Sequence, residues 1–250
     1  MEKFITSTDN PIFKSLKKIT TTKGRHESGL CIIEGEKIIF ENLDHVEQIF
    51  IIEGKEITPN LRDMEPIVLS KKLFKEISDL DTPCGIFATA TIPQNGEVTY
   101  PLLILDQIQD PGNMGTLVRT AVAFGFKSIV AIFCPGVFSQ KVIRAAMGQQ
   151  FKLDHISCIS VPFFAENYKQ YVSPDDVTMI LADLNGESIE NFSTDFEQKF
   201  ALVLGNEGQG IGEHIKKIPH TVITIPMSNN VESLNVAVAG GILMHELRKV

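Results

Sequence analysis

Asn113, Arg119, Glu207, Ser233 and Asn235 are the polar residues of this chain whose types and surroundings suit them to chemistry. They fall in three short stretches: Asn113-Met114-Gly115-Thr116-Leu117-Val118-Arg119, then Gly205-Asn206-Glu207-Gly208-Gln209-Gly210, then Ser233-Leu234-Asn235-Val236-Ala237-Val238-Ala239. Amide side chains can fix local geometry, a carboxylate can accept from a hydroxyl or orient a cation, and a guanidinium can grip a phosphate through paired donors. A guanidinium is essentially always protonated, so orienting a phosphate and stabilising charge suit Arg119 better than acting as a base. Each stretch adjoins an apolar run, at residues 102–105, 201–204 and 222–225. The carboxyl ends of parallel strands are where α/β proteins gather ligand sites.

Plainer roles compete at each position. Pro111-Gly112 makes a turn after which Asn113 can cap a helix, and Arg119 lies six residues further on. That spacing is about a turn and two-thirds of helix, so the helix alone does not bring the two side chains together. Ser233 can cap the last helix, which places Asn235 in its first turn. Gly205, Gly208, Gly210 and Gly212 let the backbone turn tightly and approach a ligand. Their spacing is G-x-x-G-x-G, late in the series of strands, which discounts a dinucleotide-binding loop.

The elements that must position these loops follow from hydrophobic patterning. Gln94-Asn95-Gly96-Glu97 follows Pro93 and marks a boundary near residues 92–99, giving domains at 1–95 and 96–250. Before it, Asn10-Pro11 starts a helix, and residues 31–33, 48–52 and 85–90 read as strands of a small α/β domain. After it, strands at 102–105, 128–132, 177–182, 201–204 and 222–225 alternate with helices near 114–124, 139–147 and 235–247. Such alternation predicts a mostly parallel sheet covered on both faces.

Composition narrows the function classes. The 250 residues carry a net charge of −8, with 43% hydrophobic and 22% charged residues, as in a soluble globular protein that does not bind polyanions indiscriminately. Residues 1–25 run against that average, with six basic side chains and two acidic ones. Lys14, Lys17, Lys18 and Arg25 in this stripe can meet phosphates or simply form a solvated helix face. No apolar run reaches the roughly 18 residues of a membrane span, and the first residues lack the apolar core of a signal peptide, so a cytoplasmic location is expected. Cys31, Cys84, Cys134 and Cys158 lie far apart, and the expectation is four buried free thiols rather than a zinc site or a disulfide framework. The six histidines show no ligand spacing, and no metal is expected.

Together the loops resemble the three motifs of the SpoU (TrmH-like) ribose 2′-O-methyltransferases of the SPOUT superfamily. The first runs from Asp106 through Asp110-Pro111-Gly112-Asn113 to Arg119-Thr120-Ala121; the second is Leu204-Gly205-Asn206-Glu207-Gly208-Gln209-Gly210. The third is Ile225-Pro226-Met227 followed by Glu232-Ser233-Leu234-Asn235-Val236-Ala237. Lys141-Val142-Ile143-Arg144-Ala145-Ala146-Met147-Gly148 is similar to the stretch the family carries between its first two motifs. The amino-terminal part resembles the family's RNA substrate-binding module through Asn10-Pro11, Lys14, Ile33-Glu34-Gly35-Glu36-Lys37 and Thr82-Pro83-Cys84-Gly85-Ile86, with Cys84 where many relatives carry Gln.

The resemblance implies a trefoil-knotted, mostly parallel α/β methyltransferase domain behind a small L30e-like RNA-binding domain, working as a homodimer. S-adenosylmethionine would then be held by Leu204, Gly205, Gly210, Ile225, Met227, Ser233 and Leu234. Asn113, Arg119, Glu207, Ser233 and Asn235 would form the catalytic set, and Lys14, Lys17, Lys18, Arg25, Arg119 and Arg144 would meet RNA. The reaction implied is attack of a ribose 2′-hydroxyl on the donor's methyl group, most naturally in 23S-type ribosomal RNA, with neither DNA nor a membrane as partner. A catalytically silent ribosome-assembly factor and a tRNA 2′-O-methyltransferase are the alternatives.

Overall fold

β-branched and aromatic residues dominate the strands of the first half, leucine joins the β-branched residues in those of the second, and the two halves build different sheets. The computed structural model describes residues 3–248 except 57, 58, 60–62, 193–198 and 229–231. Asn229 and Asn230, which stand in sequence between Met227 and the third loop, lie outside the described residues. The chain divides into two compact units, residues 1–93 with 138–151, and residues 94–137 with 152–250.

The first unit is a five-stranded mixed sheet in the order β1-β4-β3-β5-β2, made of β1 (Phe4–Ile5), β2 (Leu30–Glu34), β3 (Val46–Ile52), β4 (Ile67–Leu69) and β5 (Ile86–Thr91). β5 runs antiparallel to β2 and β3, while β1 and β3 flank β4 in parallel. Helix α1 (Pro11–Ile19) begins as its sequence dictates: Asn10 accepts from the Ile12 N–H at 2.9 Å, and Pro11 occupies the first helical position. Its buried Phe13, Leu16 and Ile19 join Phe50, Phe74 and Phe87 in the core, leaving Lys14, Lys17 and Lys18 exposed. Helices α2 (Thr22–Ser28), α3 (Glu36–Glu41) and α4 (Lys71–Ile77) also belong to this unit.

The second unit is a fully parallel six-stranded sheet in the order β11-β9-β10-β6-β7-β8. Its strands are β6 (Leu102–Asp106), β7 (Ser128–Ile132), β8 (His155–Ile159), β9 (Val177–Ser188), β10 (Lys199–Leu204) and β11 (Thr221–Thr224). Residues 102–105 and 201–204 are at most 1% exposed, the signature of strands covered on both faces. Helix α5 (Pro111–Ala123) follows β6. The next helix, α6 (Gln140–Ala146), interrupts the unit, because residues 138–151 belong with the first unit and pack against β2. Nothing in the local pattern signals that excursion of residues 138–151 from the expected second domain of 96–250. Helices α7 (Val161–Asn167), α8 (Glu213–Lys216) and α9 (Val236–Glu246) belong to the second unit.

Helix α9 lies on α5 and β10 because Gly240 has no side chain. A Cβ there would stand 2.5 Å from Leu117 Cδ2 and 2.6 Å from Leu204 Cδ1. The four thiols are free as expected, but only Cys31 is buried; Cys134 is partly covered, and Cys84 and Cys158 are exposed. Burial raises the Cys31 thiol to about 12 and that of Cys134 likewise to about 12.

Candidate active site

The three loops meet at the carboxyl tips of β6, β9, β10 and β11. The glycine loop after β10 hangs from the tip of β6. Asp106, fully buried at the end of β6, accepts the Gly212 N–H at 2.7 Å, and His214 Nε2 stands 3.2 Å from its other oxygen. The Gln107 backbone takes a left-handed turn (φ 58°), which presents its carbonyl to the Asn206 side-chain amide at 2.8 Å. Asn206 also folds the loop on itself, since its Oδ1 accepts from the Gly208 and Gln209 N–H groups at 2.9 Å each. Backbone bonds between Asn206 and Gly210, 3.0 Å in both directions, close the turn.

Gly205 is required by that closure. A Cβ there would lie 2.5 Å from the Gly210 carbonyl carbon and 2.6 Å from the Ile211 nitrogen, so any side chain would push backbone against backbone.

A chain of amides ties the loops together. Glu207 Oε1 accepts from Asn113 Nδ2 at 2.9 Å, and Asn113 Oδ1 accepts from Asn235 Nδ2 at 3.0 Å. Asn235 Oδ1 then accepts the Ala237 and Val238 N–H groups at 2.9 and 3.3 Å. Each amide donates in one direction and accepts in the other, so reversing Asn113 breaks two bonds at once and reversing Asn235 breaks three.

Two expected caps change hands here. Asp110, not Asn113, caps α5, accepting the Asn113 N–H at 2.7 Å with Pro111 as the first helical residue. Asn235, not Ser233, caps α9. Both shifts release a side chain: Asn113 bridges two loops, and Ser233 faces a cavity.

That cavity, of about 240 Å3, is walled by the loops themselves. Leu204, Gly205 and Gly210 come from the β10 side, and Ile225, Met227, Ser233 and Leu234 from the segment after β11. All seven residues assigned to cofactor binding therefore share one wall, together with Glu207. Sequence reasoning missed Asp183 and Leu184 at the turn of β9, and Val236 and Ala239 on α9, which also line it. A 12-residue strand whose last half turns polar was the available signal for the first pair.

Arg119 stands apart. It is exposed on α5, does not line the cavity, and makes no ion pair or hydrogen bond with its guanidinium among the described residues.

The other basic residues divide by what holds them. In the first unit Lys14 pairs with Asp9 at 2.9 Å, Lys17 reaches Glu76 at 3.7 Å, and Lys18 is exposed without an ion pair among the described residues. Arg25 is 9% exposed and is a structural residue, correcting its assignment to RNA: its guanidinium donates to the Thr20 carbonyl at 2.9 Å and to Thr22 Oγ1 at 3.0 Å. Arg144, also in the first unit, is engaged by both carboxylate oxygens of Asp79, which neutralise the charge it would offer a phosphate.

Comparison with known proteins agrees with the arrangement. The description "SpoU rRNA Methylase family" fits residues 101–245, which hold every loop described above. The chain belongs to the SpoU rRNA methylase family. Residues 10–88 match the MRM3-like substrate binding domain. Among curated relatives, RlmP of Bacillus subtilis, a 23S rRNA (guanosine(2553)-2'-O)-methyltransferase, is 31% identical over 98% of this chain and 99% of its own length. A TrmH-family protein from Porphyromonas gingivalis superposes with a TM-score of 0.75 at 30% identity, covering 94% of this chain and 96% of that one. The AdoMet-bound rRNA methyltransferase of Sinorhizobium meliloti shares the fold, with a TM-score of 0.79 at 24% identity over 98% of this chain and 97% of that one.

Proposed function

We propose that this protein methylates a ribose 2′-hydroxyl of RNA with S-adenosylmethionine as donor, and that its substrate is 23S-type ribosomal RNA. The observation that carries the reading is the cavity at the strand tips, whose wall includes the Glu207 end of the amide chain. The wall fits the donor's parts. Leu204, Ile225 and Leu234 offer apolar surface to an adenine and its methylene groups, the tight turn at Gly205 places backbone on the wall, and Ser233 offers a hydroxyl. Bound there, the donor would supply a methyl group activated by a sulfonium.

The chain's own residues do the rest. Asn113 and Asn235 hold Glu207 at a fixed place on the cavity wall, and Arg119, unpaired and exposed, grips the phosphate beside the target ribose. RlmP's activity, in a relative matched over nearly its whole length, supports the ribosomal substrate, as does the substrate-binding match at residues 10–88.

The same reading takes the second unit as trefoil-knotted and the first domain as L30e-like. It takes the working species as a cytoplasmic homodimer that uses the exposed Val238 and Ile242 of α9. A parallel order in which β10 lies between β6 and β9, with β11 beyond, supports the knot. Transfer of labelled methyl groups to undermethylated ribosomal RNA tests the activity. Retention of RNA without incorporation of label would instead identify a silent assembly factor, and label entering only tRNA would move the substrate class.

A further inference from the structure

The cavity's charge is one-sided. Among the described residues lining it, the only ionisable side chains are Asp183 and Glu207, and neither forms an ion pair with a basic residue. Glu207 is held by Asn113, whereas Asp183 stands outside that chain of amides, with one carboxylate oxygen accepting the Asn185 N–H at 3.2 Å. Asp183 is also half-buried, beside the apolar Ala182 and Leu204 of the same wall, where its field is less screened than in open water.

Resting on the donor proposed above, we infer that Asp183 makes this cavity select the charged methyl donor over its spent form. S-adenosylmethionine carries a sulfonium cation besides its ammonium and carboxylate groups, for a net charge of +1. Transfer of the methyl group to the 2′-oxygen leaves its sulfur a neutral thioether, the hydroxyl proton leaves for solvent, and S-adenosylhomocysteine is neutral overall. An uncompensated carboxylate on the wall therefore attracts the donor more than the product. A sphere of the cavity's volume has a radius of about 4 Å, against a Debye length of about 8 Å at physiological salt, so the discrimination survives in a cell. Its consequence is relief from product inhibition: the act of transfer cancels part of the attraction that held the ligand, and the cavity empties for the next donor.

Titration calorimetry with three probes on the full chain tests this. The probes are S-adenosylmethionine, S-adenosylhomocysteine, and sinefungin, which carries a protonated amine in place of the sulfonium. Asp183→Asn keeps the shape and the acceptor for the Asn185 N–H but removes the charge. It should weaken S-adenosylmethionine and sinefungin by about three- to tenfold while changing S-adenosylhomocysteine less than about twofold, as expected for one partly screened charge pair. Asp183→Glu should retain the wild-type ratio. Added salt should narrow the difference between donor and product in the wild type and barely move it in Asp183→Asn. Equal weakening of all three ligands would mean that Asp183 holds a part they share, such as the ribose hydroxyls, and would overturn the inference, as would no change at all. Failure of the wild type to bind any of the three would instead overturn the donor assignment, and this inference with it.

Discussion

Asn113→Asp replaces one NH2 by one oxygen and leaves the shape nearly unchanged, yet it inverts the chemistry of the amide chain. The bond from Asn113 Nδ2 to the Glu207 carboxylate becomes a contact between two carboxylates, while the acceptor for Asn235 survives. A hydrogen bond to a charged acceptor contributes about 1.5–3 kcal/mol, and less near solvent, where this one lies. Two like charges about 3 Å apart at the surface add a penalty of about 1–2 kcal/mol. The expected cost in transition-state stabilisation is about 2–4 kcal/mol, or roughly thirtyfold to several hundredfold in kcat/KM. Asn113→Ala loses both bonds without the repulsion and should fall nearer the lower end.

The decisive variant is Asn113→Asp combined with Glu207→Gln, which exchanges donor and acceptor and rebuilds every bond of the chain. Melting temperature and donor affinity should recover most of the loss in the double variant, with a coupling energy above about 1 kcal/mol in the cycle. Lowering the pH should also help the Asn113→Asp single variant, because facing carboxylates share a proton readily. A coupling energy near zero in a folded protein would refute the amide chain as the organiser of the site.

Gly205→Ala should weaken donor binding in calorimetry by roughly fivefold to a hundredfold, because the new methyl group meets the backbone of Gly210 and Ile211, and overpacking of this kind costs about 1–3 kcal/mol; an affinity within threefold of wild type would contradict the tight turn. Arg119→Lys should lower turnover on RNA by at least about tenfold and leave donor affinity unchanged, since Arg119 does not line the cavity; full turnover would remove it from the phosphate-gripping role. The buried Cys31 thiol titrates near 12 in the folded chain, against 9.0 for an ordinary thiol. The folded form therefore keeps a proton that the unfolded chain gives up, so this contribution is complete below about pH 9 and is lost as pH rises toward 12, on the order of 3–4 kcal/mol in all. Urea midpoints between those limits should fall more steeply in the wild type than in Cys31→Ala, and parallel slopes would refute the linkage.

The central strands were legible because burial on both faces leaves an unbroken apolar run, as at residues 102–105 and 201–204. The strand β8 was not, since His155, Ser157 and Cys158 interrupt the pattern at an edge where only one neighbour is required. Nor was β4, a three-residue strand bracketed in space by β1 and β3. At the site, residue types were legible and partnerships were not. Asp110-Pro111 carried a cap-and-proline signal that outranks Asn113, but polar side chains at both positions compete for one helix end. The bond between Asn113 and Asn235 spans 122 residues of sequence, and no local pattern encodes it. Arg25 looked like part of a basic stripe until the turn after α1 folded its guanidinium onto the carbonyl of Thr20.

The cavity draws its walls from residues as early as Ala182 and as late as Leu243, with α9 supplying the closing side. A chain still lacking that helix has the first glycine turn but nothing to shut it against. Competence to take up a methyl donor thus waits for α9, and a copy that stops short of residue 236 cannot sequester the ligand.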